Sequence, residues 1–114
     1  MLNDFGKTIR KARIDTGETL SSMSKGIKKT VSFLSAIETG VKKIPMGLVP
    51  VIRDYLISKG ANFEDLANLE EDAILANGQM SLEGLDINTQ KTVAKFAKTN
   101  LTQEQIDAIT KILE

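Results

Sequence analysis

Phe5, Ile9 and Ala12 recur at helical spacing and predict a first helix over about residues 3–14, closed near Thr16-Gly17. Leu20, Met23 and Ile27 give a second helix one apolar stripe, with Ser21, Ser22, Ser24 and Lys25 off it. Thr19 suits its N-cap. Thr30 suits the N-cap of a third helix, in which Val31, Ser32 and Phe33 make the first turn and Leu34 and Ile37 face inward. Gly40 follows the last periodic residues and fits a left-handed C-terminal cap, where a side chain would cost conformational energy. A fourth helix is expected over about 46–58, with Leu48, Val49, Ile52, Leu56 and Ile57 toward the core. Pro50 limits how early it starts, because proline breaks a helix interior, and Gly60 ends it.

A fifth helix is expected to begin after Asn62 and run to Asn77-Gly78, with Leu66, Leu69, Ala73 and Ile74 as its stripe. The run Glu70-Glu71-Asp72 points its carboxylates in different directions around such a helix and reads as a solvated face, not a metal site. Residues 78–86, with two glycines, read as a linker. Two amphipathic helices follow, about Asn88–Lys98 and Gln103–Leu113. Thr102 and Gln105 form a capping box at the start of the second, flanked by a hydrophobic staple of Leu101 and Ile106. Ile106, Ile109, Ile112 and Leu113 make a stripe on a helix too short to be stable alone, so it must bury that face in the monomer's own core or against a partner.

The segment GETLSSMSKGIKKTVSFLSAIETGVKKIP, residues 17–45, resembles the DNA-binding core of the lambda-repressor-like, or XRE, family. In that family a scaffold helix, a short turn and a recognition helix end in Ile-Glu-x-Gly followed by basic residues and proline. Here those residues are Ile37, Glu38, Gly40, Lys42, Lys43 and Pro45. The resemblance covers roughly residues 4–60. It implies an all-α, lambda-repressor-like helix-turn-helix bundle over residues 1–77, the linker 78–86, and a C-terminal helical extension over 87–114 for dimerisation or interaction. It also implies a structural ion pair between Arg13 and Glu38. Three features depart from the family pattern. Lys28 and Lys29 stand where a turn glycine and an apolar residue are usual, Ser24 replaces a small apolar alanine, and Gly26 falls two positions early. Gly26 within a helix costs about 1 kcal/mol relative to Ala.

A recognition helix at about 30–39 would enter the major groove of double-stranded DNA, presenting Val31, Ser32, Ser35 and Ala36 to base edges. This set lacks the Arg, Asn and Gln that make bidentate base contacts, so the expected site is rich in A·T pairs or read partly through DNA shape. Lys28, Lys29, Lys42 and Lys43 flank the helix where phosphates would lie, joined by Thr19, Ser21 and Thr30.

The formal net charge of zero conceals 11 Lys+Arg against 5 Asp+Glu in residues 1–60 and 4 against 10 in residues 61–114, which is +6 and −6. That asymmetry places a nucleic-acid footprint on the first half and turns the acidic half away from DNA. Without cysteine or histidine, disulfides, thiolate metal sites and histidine general-base chemistry are excluded, and no cofactor is expected. No phosphate loop or nucleophile motif is present, and acid–base work would fall to carboxylates, lysines or the lone Tyr55, which argues against an enzyme. No apolar run approaches a bilayer span and the N-terminus lacks a signal peptide's apolar core, so no membrane association and a cytoplasmic location are expected. The expected function is a repressor binding an operator as a homodimer through Ile106, Ile109, Ile112 and Leu113. The alternatives are an antitoxin whose C-terminal half covers a toxin, and an interaction module that no longer reads bases.

Overall fold

The computed structural model describes residues 3–114, and every regular element among them is helical. The α-helices are α1 (Asp4–Thr16), α2 (Leu20–Ile27), α3 (Val31–Glu38), α4 (Val49–Ser58), α5 (Leu69–Asn77), α6 (Ile87–Lys98) and α7 (Gln103–Leu113). Short 3-10 turns lie at Met46–Leu48 and Glu64–Leu66. The chain forms two compact units, one through Met80 and one from Ser81 onward.

The helix ends follow from local chemistry. The Asn3 side chain accepts the Gly6 N–H at 2.8 Å, and Gly17 closes α1 in the left-handed region at φ 75°. Thr19 caps α2 by accepting the Ser22 N–H, and Ser22 answers by accepting the Thr19 N–H, each at 3.0 Å. Thr30 caps α3 through the Phe33 N–H at 3.0 Å. Pro50 sits in the first turn of α4, where its missing N–H leaves no helical bond unmade.

In the first unit α1 packs against α3, α4 and α5, and α2 packs against α3 and α4. Phe5, Met23, Ile52, Leu56, Leu66 and Leu69 are among its fully buried side chains. Leu34 and Ile37 are each 2% exposed, and burying such a side chain contributes about 1.5–3 kcal/mol. The expected inward residues of α1 to α4 are buried, apart from Leu20 and Ile57, which are half-buried.

The fifth helix begins later than its pattern predicts. Asn62 caps nothing; the chain makes a 3-10 turn over Glu64–Leu66 and enters α5 only at Leu69. At the break Arg53 of α4 ties the turn down, its Nε donating to the Leu66 carbonyl at 3.3 Å and its guanidinium pairing with Glu70. Leu66, Leu69 and Ala73 are buried as expected, and Ile74 is half-buried.

The end of α2 and the turn into α3 hold the positions at which the sequence departs from the resemblance, and they give Ser24 and Gly26 structural roles. Lys28 adopts φ 65°, the sole non-glycine positive φ among the described residues, and its N–H donates to the Ser24 carbonyl at 2.9 Å. Ser24 Oγ donates across the turn to the Lys29 carbonyl at 2.5 Å, a bond no alanine could make. Gly26 has a packing reason, since a Cβ there would stand 2.1 Å from Cε1 of the Tyr55 ring. That ring cannot swing away freely, because its hydroxyl donates to the Glu18 carboxylate and lies 3.2 Å from the Ser22 carbonyl. The bond to Glu18, followed by burial, holds the phenol above its ordinary value of 10.0.

The second unit is a pair of well-capped helices. Asp86 accepts the Thr89 N–H at 2.8 Å to start α6, and Thr102 with Gln105 forms the expected capping box of α7. No residue of either helix is buried.

Helix propensity alone would make Gly26→Ala stabilising by about 1 kcal/mol, but the contact with Tyr55 reverses the sign. The variant is expected to lose about 1–3 kcal/mol to overpacking. Urea denaturation will register the loss in the native background and its disappearance in a Tyr55→Leu background; equal effects in both would remove Tyr55 as the cause.

Candidate nucleic-acid interface

Helices α2 and α3, each of eight residues, meet through a turn at residues 28–30, and Leu34 and Ile37 fix which side of α3 faces the core. The opposite side is uneven. Val31 and Ser32 are exposed, whereas Ser35 and Ala36 are half-buried, so the first turn of α3 is its most accessible part. The expectation of four outward residues is corrected to that extent. The reason is the chain reversal after α3: the Ala36 carbonyl accepts the Val41 and Lys42 N–H groups at 2.9 and 3.1 Å, and Gly40 takes φ 79° to bring them back. Val41, which the sequence pattern left unassigned, emerges 81% exposed beside the basic residues.

Lys28, Lys29, Lys42 and Lys43 are all exposed, and none forms an ion pair among the described residues. In the same unit Lys11 pairs with Asp15 and Arg53 with Glu70, whereas Lys7, Lys25 and Lys59 are exposed and, like the four lysines, form no ion pair among the described residues. Thr19, Ser21 and Thr30 are exposed too. The hydroxyl oxygens of Thr19 and Thr30 serve as caps, an acceptor role that leaves each hydroxyl proton for donation.

The loop carrying Lys42 and Lys43 is anchored by a residue that sequence reasoning missed. Asn77, at the end of α5, accepts the Ile44 N–H at 2.7 Å and donates to the Ile44 carbonyl at 2.8 Å. Ile44 itself is buried. In the sequence Asn77 signals only a helix end before Gly78. Nothing local reveals that its amide would satisfy a peptide unit 33 residues away.

Glu38 is 2% exposed and fully engaged. Arg13 donates to its two oxygens, Nη2 to Oε1 at 2.8 Å and Nε to Oε2 at 3.3 Å, as the resemblance implied. Arg10, still exposed, adds a third contact, Nε to Oε1 at 3.0 Å. A buried carboxylate shared by two guanidiniums ties the end of α3 to α1 and sets the angle at which α3 is presented. Removing one partner of such a cluster typically costs about 3–5 kcal/mol.

Counting by compact unit, residues 1–80 carry 11 Lys+Arg against 10 Asp+Glu, and residues 81–114 carry 4 against 5. The run Glu70-Glu71-Asp72 lies in the same compact unit as the lysines. Burial raises the Asp72 carboxyl above its ordinary value of 3.8, assisted by Asp4 and Glu71. Among the described residues no group of three or more acidic side chains is arranged to hold a metal ion, and no helix is long and apolar enough to cross a membrane. Comparison of the chain with protein-family models, with curated proteins and with solved structures finds no match.

Asn77→Ala would leave a buried peptide group without partners, which costs about 1–3 kcal/mol. The expected outcome is faster amide hydrogen exchange at Ile44 and neighbouring loop residues, with α2 and α3 protected as before. Unchanged exchange at Ile44 would show that the loop is held by other contacts.

Proposed function

We propose that this chain is a sequence-specific DNA-binding transcriptional regulator of the lambda-repressor-like helix-turn-helix type, acting as a repressor at an operator. One observation carries the reading: four exposed lysines without carboxylate partners stand on both sides of α3 in the chain, whose first turn presents Val31 and Ser32. Phosphates supply most of the affinity of such a surface, and base edges supply its specificity. Val31 is suited to thymine methyl groups and Ser32 to either partner of a base pair, which favours an A·T-rich site. The anchoring of the Lys42–Lys43 loop by Asn77 and of α3 by Arg10 and Arg13 supports a preformed interface.

The second unit supplies the reason to expect a homodimer. Phe96, Leu101, Ile106, Ile109 and Leu113 line an apolar groove, and Ile112 and Leu113 are 80% and 79% exposed. A second copy of the same hairpin covers this surface symmetrically and doubles the number of half-sites bound. The same uncovered groove keeps one other reading in play, an antitoxin whose hairpin covers a toxin. That contact would be apolar in character, given the near balance of charges from Ser81 onward.

Two experiments test the proposal. Changing Lys28, Lys29, Lys42 or Lys43 singly to Ala is expected to weaken binding to all duplex sequences alike. Each change should also reduce the slope of log K against log salt concentration by about one. Four unchanged slopes would remove these residues from a DNA interface. Ile109→Glu is expected to give a folded monomer with operator binding weakened by at least about 100-fold, since each half-site is then bound singly. Sedimentation of the unmodified chain as a monomer at high micromolar concentration would sink the homodimer and leave the groove to a different protein.

A further inference from the structure

Phe33 lies in the first turn of α3, half-buried, with one side packed on the core. Two ammonium groups converge on its ring. Lys29 Nζ, from the turn before α3, is 5.6 Å from the ring centroid, and Lys42 Nζ, from the loop after α3, is 5.2 Å away. Both backbones are pinned where these side chains depart: Ser24 Oγ holds the Lys29 carbonyl, and the Ala36 carbonyl holds the Lys42 N–H. The convergence therefore joins two segments that are separately fixed.

An aromatic ring orients a lysine in a way a carboxylate does not. Its face attracts the ammonium through the ring quadrupole, yet it carries no net charge and offers no lone-pair oxygen. The cation is held in place and keeps its full charge and its N–H donors for another acceptor. Arg10 and Arg13 show the contrasting case in the same unit, since Glu38 orients both and offsets one of their two charges.

We infer that Phe33 is a positioning residue for the DNA backbone, its ring holding Lys29 and Lys42 together as one preorganised phosphodiester-binding pair. The inference rests on the DNA-binding reading above and extends it. Ordering two long side chains before binding removes rotamer entropy that would otherwise be lost on contact with phosphate. It also makes the turn and the loop, distant in sequence, act as a single electrostatic element.

The test compares the intact chain with Phe33→Leu, Phe33→Trp, Lys29→Ala and Lys42→Ala, titrated against a random-sequence duplex across ~50–200 mM salt. Phe33→Leu keeps an apolar side chain on the core and removes the quadrupole. It is expected to weaken binding about three- to tenfold and make the salt dependence shallower, while Phe33→Trp restores both, since Trp is the strongest cation partner. In the free protein, upfield ring-current shifts of the Lys29 and Lys42 ε-methylene protons provide a readout independent of DNA and of any variant. Loss of affinity in both lysine variants with none in Phe33→Leu overturns the inference and leaves the DNA reading standing, as do absent ring-current shifts. If neither lysine variant changes affinity or slope, the phosphate contacts themselves fail and the inference falls with them.

Discussion

The carboxylate of Glu38 is the point on which the presentation of α3 depends. An ionised group that deep in the unit would be costly if alone, and it is tolerated because Arg13 and Arg10 satisfy its oxygens with three contacts. A cluster of that kind adds little net stability compared with an apolar replacement of the same shape. It contributes direction. Leu34 and Ile37 bury one side of α3 but tolerate small rotations, whereas a bidentate guanidinium accepts one orientation of the carboxylate. The end of α3 is thereby locked to α1, and its first turn is left facing outward.

A second set of constraints shapes the turn before α3. Ser24, Gly26 and Lys28 each look unfavourable when taken singly: a serine inside a helix, a glycine in the same helix and a lysine in the left-handed region. Together they form one arrangement. The glycine admits the Tyr55 ring from α4, the serine hydroxyl reaches the Lys29 carbonyl, and the strained Lys28 backbone closes α2 by bonding back to Ser24. A non-glycine residue in the left-handed region costs roughly 1–2 kcal/mol. A glycine there would relieve that cost, but would remove a cation from the proposed interface.

Counting charge by halves of the chain does not follow its compact units. The zero net charge, and even the division into a basic and an acidic half, conceal that the acidic segment of α5 shares a compact unit with the lysines. What distinguishes Lys28, Lys29, Lys42 and Lys43 from the other unpaired lysines of this unit, Lys7, Lys25 and Lys59, is their place in the turn before α3 and the loop after it. Four unpaired cations thereby flank α3, an arrangement suited to a polyanion.

The sequence by itself determined what depends on short-range physics. The stripes of α1 to α4, the caps at Thr19, Thr30 and Thr102, and the left-handed glycine after α3 are decided within a few residues and were all legible. So were the inward positions of Leu34 and Ile37, and the Arg13–Glu38 pair was implied by the family pattern. Tertiary structure decided whatever required two distant segments to meet. Arg53 reached the Leu66 carbonyl at the break before α5, and Asn77 reached back to Ile44. Arg10 joined Arg13 on Glu38, and Lys29 and Lys42 converged on Phe33. None of these has a local signature, because a side chain's hydrogen-bonding or π-face capacity does not say which partner will come within reach; only the packing of the helices does.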